Sequence, residues 1–477
     1  MRRMVAAVAV LLLSACGHTG LEHAKFVDAV RRGDMQAAYD LAKDDDFYKD
    51  DASLLARYLE LGSYHYLNGE YFQALQNFDA AHDLSKRLYT KSVSKSVAAQ
   101  FAGDGVVPYA GERYELSLLR FYLSLTNYRL YKQGFYEAYT AEKDGVETAV
   151  AKKELSESEK RRHLSAARAA LLDWNALLTA FTNESASQKD FHQDMLAKTW
   201  GGEFHDIYGS VGDRQIARQL YKDAAKLLES DYADIPSLQG ENGEKLVKYA
   251  REKAADLTAD GIKKKNVRFL VKTGLVTPKV AEKVDFQIPL AAFLAAGNGN
   301  DLASCLGHIL PGQRIAFEIP SVPEPPKAAS YRIKVFDADG KQAADVPLVL
   351  TAPVSETAYK AYKNKRAQLI SSKGARLTAK YVSAVVTACA AYDSQNPWTA
   401  LAAYGIFAGL VRGIEASEYA DVRYWGLLPD AVFQQSIPLK TGDYSAEIES
   451  NARTVQKFSF TVDDSRAVLV DLNLPNG

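Results

Sequence analysis

The feature that most constrains this chain is a change of period. Up to about residue 262 apolar residues recur every three or four positions, as on helices; from about 266 they alternate, as on strands. The alternation is clear in "NVRFLVKTG", "RIAFEIP", "YRIKVFDADG" and "VQKFSFTVD". A chain of 477 residues is long enough for two cores. The predicted fold is multidomain: a leader over 1–15, an all-α domain over 16–262 and an α+β domain over 266–477.

The helical part repeats itself. In "YLELGSYHYLNGEYFQALQNFDAAHDL" the residues Gly62, Gly69, Tyr71, Ala74, Phe78 and Ala81 fall at the spacing of a tetratricopeptide (TPR) repeat. Small residues let two antiparallel helices approach, and large ones fill the gap between them. His65 and Lys86 depart from that pattern. "RRGDMQAAYDLA" offers Gly33, Ala38 and Ala42 at matching offsets; "HDIYGSVGDRQIARQLYKDAAKLL" offers Tyr208, Gly212, Ala217, Tyr221 and Ala224. A degenerate fourth copy is expected around Gly134 and Ala138. The array therefore resembles a TPR-like solenoid, with a generic helical bundle or another α-solenoid as the alternatives.

In the second part, strands are expected to form a β-sandwich-like sheet, with Asp339-Gly340 and Thr441-Gly442-Asp443 as hairpin turns. Two helices interrupt them, Ser355 to about Tyr392 and Trp398 to about Glu418. The first is expected to break at Gly374. The second carries Gly405, Gly409 and Gly413 at four-residue spacing. Its apolar run ends at Arg412, too short for a bilayer span of about 20 residues. The expectation is a buried helical hairpin with the glycine face against "RLTAKYVSAVVTACAAY". A membrane or oligomer contact is the alternative.

The chain opens "MRRMVAAVAVLLLSACGHTG". Arg2 and Arg3 precede a short apolar segment, the order of a secretory leader. "LLSAC" resembles the lipobox of bacterial lipoproteins, which implies cleavage after Ala15 and acylation of Cys16 (palmitate among the chains). Gly17 after it implies, by the same resemblance, the outer rather than the inner membrane, periplasmic side. Two cysteines remain, too few for a four-ligand structural zinc site. Cys389 reads either as a free buried thiol or as the partner of Cys305.

The string Tyr109, Gly111, Glu112, Tyr114, Glu115, with "GLVTPKVAEKVDFQIPL" and "EYADVRYWGLLPD", resembles a family of proteobacterial envelope lipoproteins of no established activity. Tyr109, Glu112, Tyr114 and Glu115 bring two rings and two carboxylates to one helix start. They read as an interaction cluster, or as tyrosines pinning a loop and acids serving a helix dipole. Arg423 and Trp425 read as a secondary binding patch or as a stacked structural pair.

Net charge is -1, and the short basic runs sit among acids, which argues against nucleic acid. HExxH, Walker A and GxSxG motifs are absent from the sequence. "GNGND" near Gly297 lacks the third glycine of a dinucleotide fingerprint. No catalytic residue, metal or cofactor is therefore assigned. The expected function is a non-enzymatic protein-interaction scaffold, tethered to the membrane by its lipid and bound to a protein partner. Envelope biogenesis, secretion and control of peptidoglycan synthesis are the settings implied. An envelope polysaccharide or peptidoglycan hydrolase and a surface-exposed ligand-capturing lipoprotein are the alternatives.

Overall fold

A computed structural model describes residues 19–43, 47–48, 50–94, 107–143, 146–184, 191–256, 266–286, 304–306, 308, 315–463 and 467–476. The leader, Cys16 and the Gly297 loop lie outside the described residues. Helices come first and a sheet region follows.

The helices are α1 (Thr19–Arg31), α2 (Met35–Lys43), α3 (Leu54–Leu67), α4 (Tyr71–Ser94), α5 (Arg113–Gln133), α6 (Glu157–Glu184), α7 (Met195–Tyr208), α8 (Val211–Leu227) and α9 (Glu241–Asp256). Successive helices pair: α1 with α2, α3 with α4, α5 with α6, α7 with α8, and α8 with α9. Gly33 and Gly69 end α1 and α3 at φ 76°, a left-handed turn that glycine makes without strain. The small residues sit where helices touch. Ala74, Phe78 and Ala81 are fully buried, and a Cβ on Gly62 would stand 2.5 Å from the Phe78 ring. Gly202 meets the Tyr221 ring in the same way, at 2.9 Å.

The fourth copy expected at Gly134 is not a helical pair. Gly134 caps α5 in the left-handed region, and the chain then forms four short strands, β1 (Phe135–Tyr136), β2 (Tyr139–Lys143), β3 (Val146–Val150) and β4 (Lys153–Glu154). β2 pairs antiparallel with β3, and β1 with β4. The alternation Tyr139, Ala141, Lys143 against Thr140, Glu142 suits a strand and gives no helical stripe.

The second part contains β5 (Val267–Thr273), β6 (Val280–Phe286), β7 (Ile315–Ser321), β8 (Tyr331–Asp337), β9 (Gln342–Pro347), β10 (Val349–Pro353), α10 (Val354–Cys389), α11 (Pro397–Ser417), β11 (Ala431–Ile437), β12 (Gly442–Ser450), β13 (Arg453–Val462) and β14 (Val468–Leu474). One four-stranded sheet has the order β10-β11-β5-β14 and another β13-β12-β8-β9; β6 and β7 form a separate two-stranded sheet. β14 runs parallel to β5, and the other pairs are antiparallel. The two larger sheets share a core: Phe269 meets Phe460 at 5.7 Å and Tyr331 meets Phe433 at 5.0 Å between ring centroids.

β5 is buried along its whole length. Val267, Phe269 and Val271 face the second sheet, while Arg268, Leu270 and Lys272 face the helices. Two buried clusters thereby take residues from both sides of residue 262. One joins Phe26, Phe78 and Trp200 to Leu270, Trp425 and Val432; the other joins Tyr221 and Tyr249 to Phe269 and Val349.

The α10–α11 hairpin lies between β10 and β11 in the chain, as expected, but it is not the buried hairpin expected, since Trp398, Leu401, Tyr404, Ile406 and Leu410 of α11 are exposed, and two further details differ. α10 runs unbroken through Gly374, which is buried there. The face of α11 turned to α10 carries Ala403 and Phe407, packed with Leu377, Tyr381 and Ala388. The glycines point away: a Cβ on Gly405, Gly409 or Gly413 would meet nothing within 4 Å. Cys305 and Cys389 form a disulfide with Cα atoms 5.9 Å apart, so Cys389 is not the free thiol that its apolar surroundings suggested.

Candidate functional site

The cluster singled out in the sequence comes together, but inside the protein. Tyr109, Tyr114 and Glu115 are buried, and only Glu112 is partly open. Glu115 is the third residue of α5 and accepts the Glu112 backbone N–H at 2.7 Å, satisfying one donor of the helix start. Its carboxylate also accepts the Tyr109 hydroxyl and, at 2.8 Å, the backbone N–H of Trp425. Burial raises the Glu115 pKa. Glu112 is held well below the usual carboxylate range by Lys365 and Lys279, whose Nζ atoms each lie 3.1 Å from it.

The segment 418–430 is what these groups grip. Glu60 on α3 accepts the backbone N–H groups of Gly426 and Leu427, and His23 lies 2.7 Å from the same carboxylate. Trp425 is fully buried and donates its indole N–H to Ser63 Oγ at 2.8 Å. Its ring packs on Phe78 and Tyr122 at 5.9 and 5.5 Å. Arg423 donates to the carbonyls of Ala52 and Val107, both at 2.8 Å, and pairs with Asp421. Its guanidinium lies over Tyr109 at 5.5 Å. Arg423 and Trp425 are therefore neither an exposed patch nor a pair stacked on each other. All six residues brace the helices against the sheet region, and Gly426 is held so closely that a Cβ there would stand 2.6 Å from Val27.

A second buried network escaped the sequence reading. Glu203 and Asp206 on α7 meet Arg268 of β5 at 2.9 and 2.7 Å, and Lys253 of α9 lies 2.9 Å from Glu203. Tyr221 and Tyr249 donate to Glu203 at 2.7 and 3.2 Å. Burial works to raise Glu203, but Arg268 and Lys253 hold it at about 2. Burial and the Arg268 charge lower Lys253 to about 8. The charges are matched and fully enclosed, which makes the network structural. A sequence signal existed: Glu203 and Asp206 are three apart on a helix otherwise rich in apolar residues.

The surface available to a ligand lies elsewhere. Between α8 and α9 runs a groove of about 510 Å³, lined by Arg218, Lys222, Lys226 and Arg251 over a floor of Ala225, Ala250 and Ala254. Among the described residues no carboxylate lines it. Arg218 Nε donates to the Ala254 carbonyl at 3.1 Å. Among the described residues Lys222, Lys226 and Arg251 are exposed and have no carboxylate partner. Also among the described residues, no group of three or more His, Cys, Asp or Glu side chains is placed to hold a metal ion.

Comparisons with protein-family models, curated proteins and solved structures found no match for this chain.

Proposed function

We propose that this protein is a non-enzymatic, outer-membrane-anchored periplasmic scaffold whose TPR-like helical array holds an acidic partner protein in the α8–α9 groove. The observation that carries the reading is a row of cations, Lys222, Lys226 and Arg251, that have no carboxylate partner among the described residues and stand over an apolar floor. Such a surface complements a segment bearing carboxylates beside small apolar side chains, and like-charged segments are rejected. The touching glycines and alanines of α3–α4 and α7–α8 support the TPR-like reading, and arrays of helical pairs expose grooves of this kind. "LLSAC" at Cys16 supports the lipid anchor, and the Cys305–Cys389 disulfide suits an oxidising compartment such as the periplasm. Envelope biogenesis, secretion and control of peptidoglycan synthesis are settings that need such adaptors.

The test is a fluorescence-anisotropy titration. The probe is a short labelled helix-forming peptide with alanine on one face and glutamate on the other. Binding that weakens with salt, and at least about tenfold with Lys222→Glu/Arg251→Glu, supports the reading. Equal binding of a lysine-for-glutamate peptide, or no effect of the charge reversal, overturns it.

A further inference from the structure

Helices α5 and α6 form one pair and α7 and α8 the next. The seam where α6, α7 and α8 meet holds a cavity of about 300 Å³. Leu171, Trp174 and Leu178 of α6 line one side, Gly201 of α7 another and Leu220 of α8 a third. Leu172 and Ile216 also line it and are exposed, which places them at its mouth. A Cβ on Gly201 would stand 3.2 Å from Leu220, so a larger residue there would narrow the space. Trp174 spends its indole N–H on Ser117 at 2.6 Å and offers the cavity only its ring. An apolar cavity of about 150 Å³ already takes a benzene-sized ring, which scales this one to a fused ring the size of indole.

The polar lining narrows the choice further. Lys198 and Asp223 are opposite in sign, so neither an anion nor a cation is selected. Gln219 donates to Asp223 at 2.8 Å, and Gln219 and Asn175 are exposed to water. His205 also lines the cavity and is only 2% exposed. A carboxylate can only accept, so the His205 Nδ1 carries the proton and donates it to Asp213 at 2.6 Å. Asp213 is fixed in turn by Ser210 and by Arg168 at 3.0 Å. Burial lowers the His205 pKa below its ordinary value, so the ring is neutral at pH 7. Nε2 is then a bare acceptor with no partner among the described residues. A buried acceptor without a donor costs free energy, and an occupant that brings a donor removes that cost.

We propose that the α6–α7–α8 cavity binds a neutral apolar ring that carries one N–H or O–H donor, given to His205 Nε2. The site shares no lining residue with the α8–α9 groove and does not rest on the function proposed for it.

The test is isoleucine δ1-methyl NMR of the chain from Gly17 onward, which keeps every described residue. Ile216 is the reporter, assigned as the signal that Ile216→Val removes. Indole should give a saturable shift there and leave Ile333, buried between the sheets, unmoved. Benzofuran has the same shape without the N–H and should bind at least about fivefold more weakly. The long-range ¹⁵N signal of His205 Nε2 in the parent should move with indole and not with benzofuran. Leu172→Asp sets an unpaired charge at the mouth; it should weaken both rings at least about tenfold with thermal unfolding unchanged, since Leu172 is exposed. N-acetyltryptophanamide separates two sources of such a ring: binding as tight as indole's assigns a partner's tryptophan side chain, and exclusion assigns a free small molecule. No saturable shift at Ile216 overturns the proposal. So does benzofuran equal to indole in affinity, or a His205 Nε2 signal indifferent to indole.

Discussion

Glu115→Gln isolates the brace between the helices and the segment 418–430. The substitution keeps the side-chain shape and removes one acceptor. In the parent one carboxylate oxygen accepts Trp425 N–H at 2.8 Å, and the other accepts Glu112 N–H at 2.7 Å together with the Tyr109 hydroxyl. A glutamine has one acceptor oxygen. If it serves Glu112 and Tyr109, its amide N–H groups face the Trp425 N–H, donor against donor. If it turns, Glu112 loses its partner at the start of α5. Either way a buried or half-buried backbone N–H goes unsatisfied, which costs about 1–3 kcal/mol. The remaining bonds lose their charge assistance, while the cost of burying a charge disappears, so these two changes oppose each other. The net expectation is a loss of about 2 kcal/mol, read from urea unfolding followed by tryptophan fluorescence. Glu115→Ala, which also opens a cavity, should cost about 3–5 kcal/mol. A Glu115→Gln chain within about 0.5 kcal/mol of the parent would refute the reasoning, because surface substitutions fall in that range.

Gly62→Ala should destabilise by about 1–3 kcal/mol, since its Cβ would stand 2.5 Å from Phe78, whereas Gly409→Ala should stabilise by about 0.5–1 kcal/mol, a helix-interior glycine replaced by a better helix former whose Cβ meets nothing within 4 Å. Glu203 titrates at about 2 in the folded protein against 4.5 as its ordinary value. Its depressed pKa contributes about 3 kcal/mol above pH 4.5 that is lost as pH falls from there toward 2; the pH dependence of urea unfolding should flatten over that window in Glu203→Gln. Cys389→Ser opens a loop whose ends are 84 residues apart and should cost about 2–5 kcal/mol, with reductant lowering the parent's thermal midpoint and leaving the variant's unchanged.

Local pattern made much of the fold legible. Gly62, Ala74 and Phe78 mark the α3–α4 contact because helix approach is decided by side-chain size at fixed spacing. The strands from β8 to β14 follow from alternation and turn residues. What stayed hidden depends on pairs far apart in the chain. Nothing within "EYADVRYWGLLPD" says that its backbone amides will be accepted by Glu60 and Glu115, so Tyr109 and Glu115 resemble a recognition cluster until their partners are seen. The spacing of Gly405, Gly409 and Gly413 defines a helix face but not what that face meets; Ala403 and Phe407 fill the interior more fully, and they win it. The Cys305–Cys389 pairing is likewise a matter of distance in space. The β2–β3 hairpin was signalled, by Asp144-Gly145 in the sequence between two alternating runs, and reading that stretch as a fourth helical repeat passes over it.

A buried brace and an exposed groove are distinguished most directly by one titration. The acidic labelled peptide is measured against the parent, Glu115→Gln and Lys222→Glu/Arg251→Glu, each under conditions where circular dichroism shows it folded. Glu115→Gln should bind as the parent does, within about twofold, while the charge reversal should bind at least about tenfold more weakly. Loss of binding in the folded Glu115→Gln chain with the charge-reversed chain unaffected would contradict this, and would return the binding site to Tyr109, Glu112, Tyr114 and Glu115.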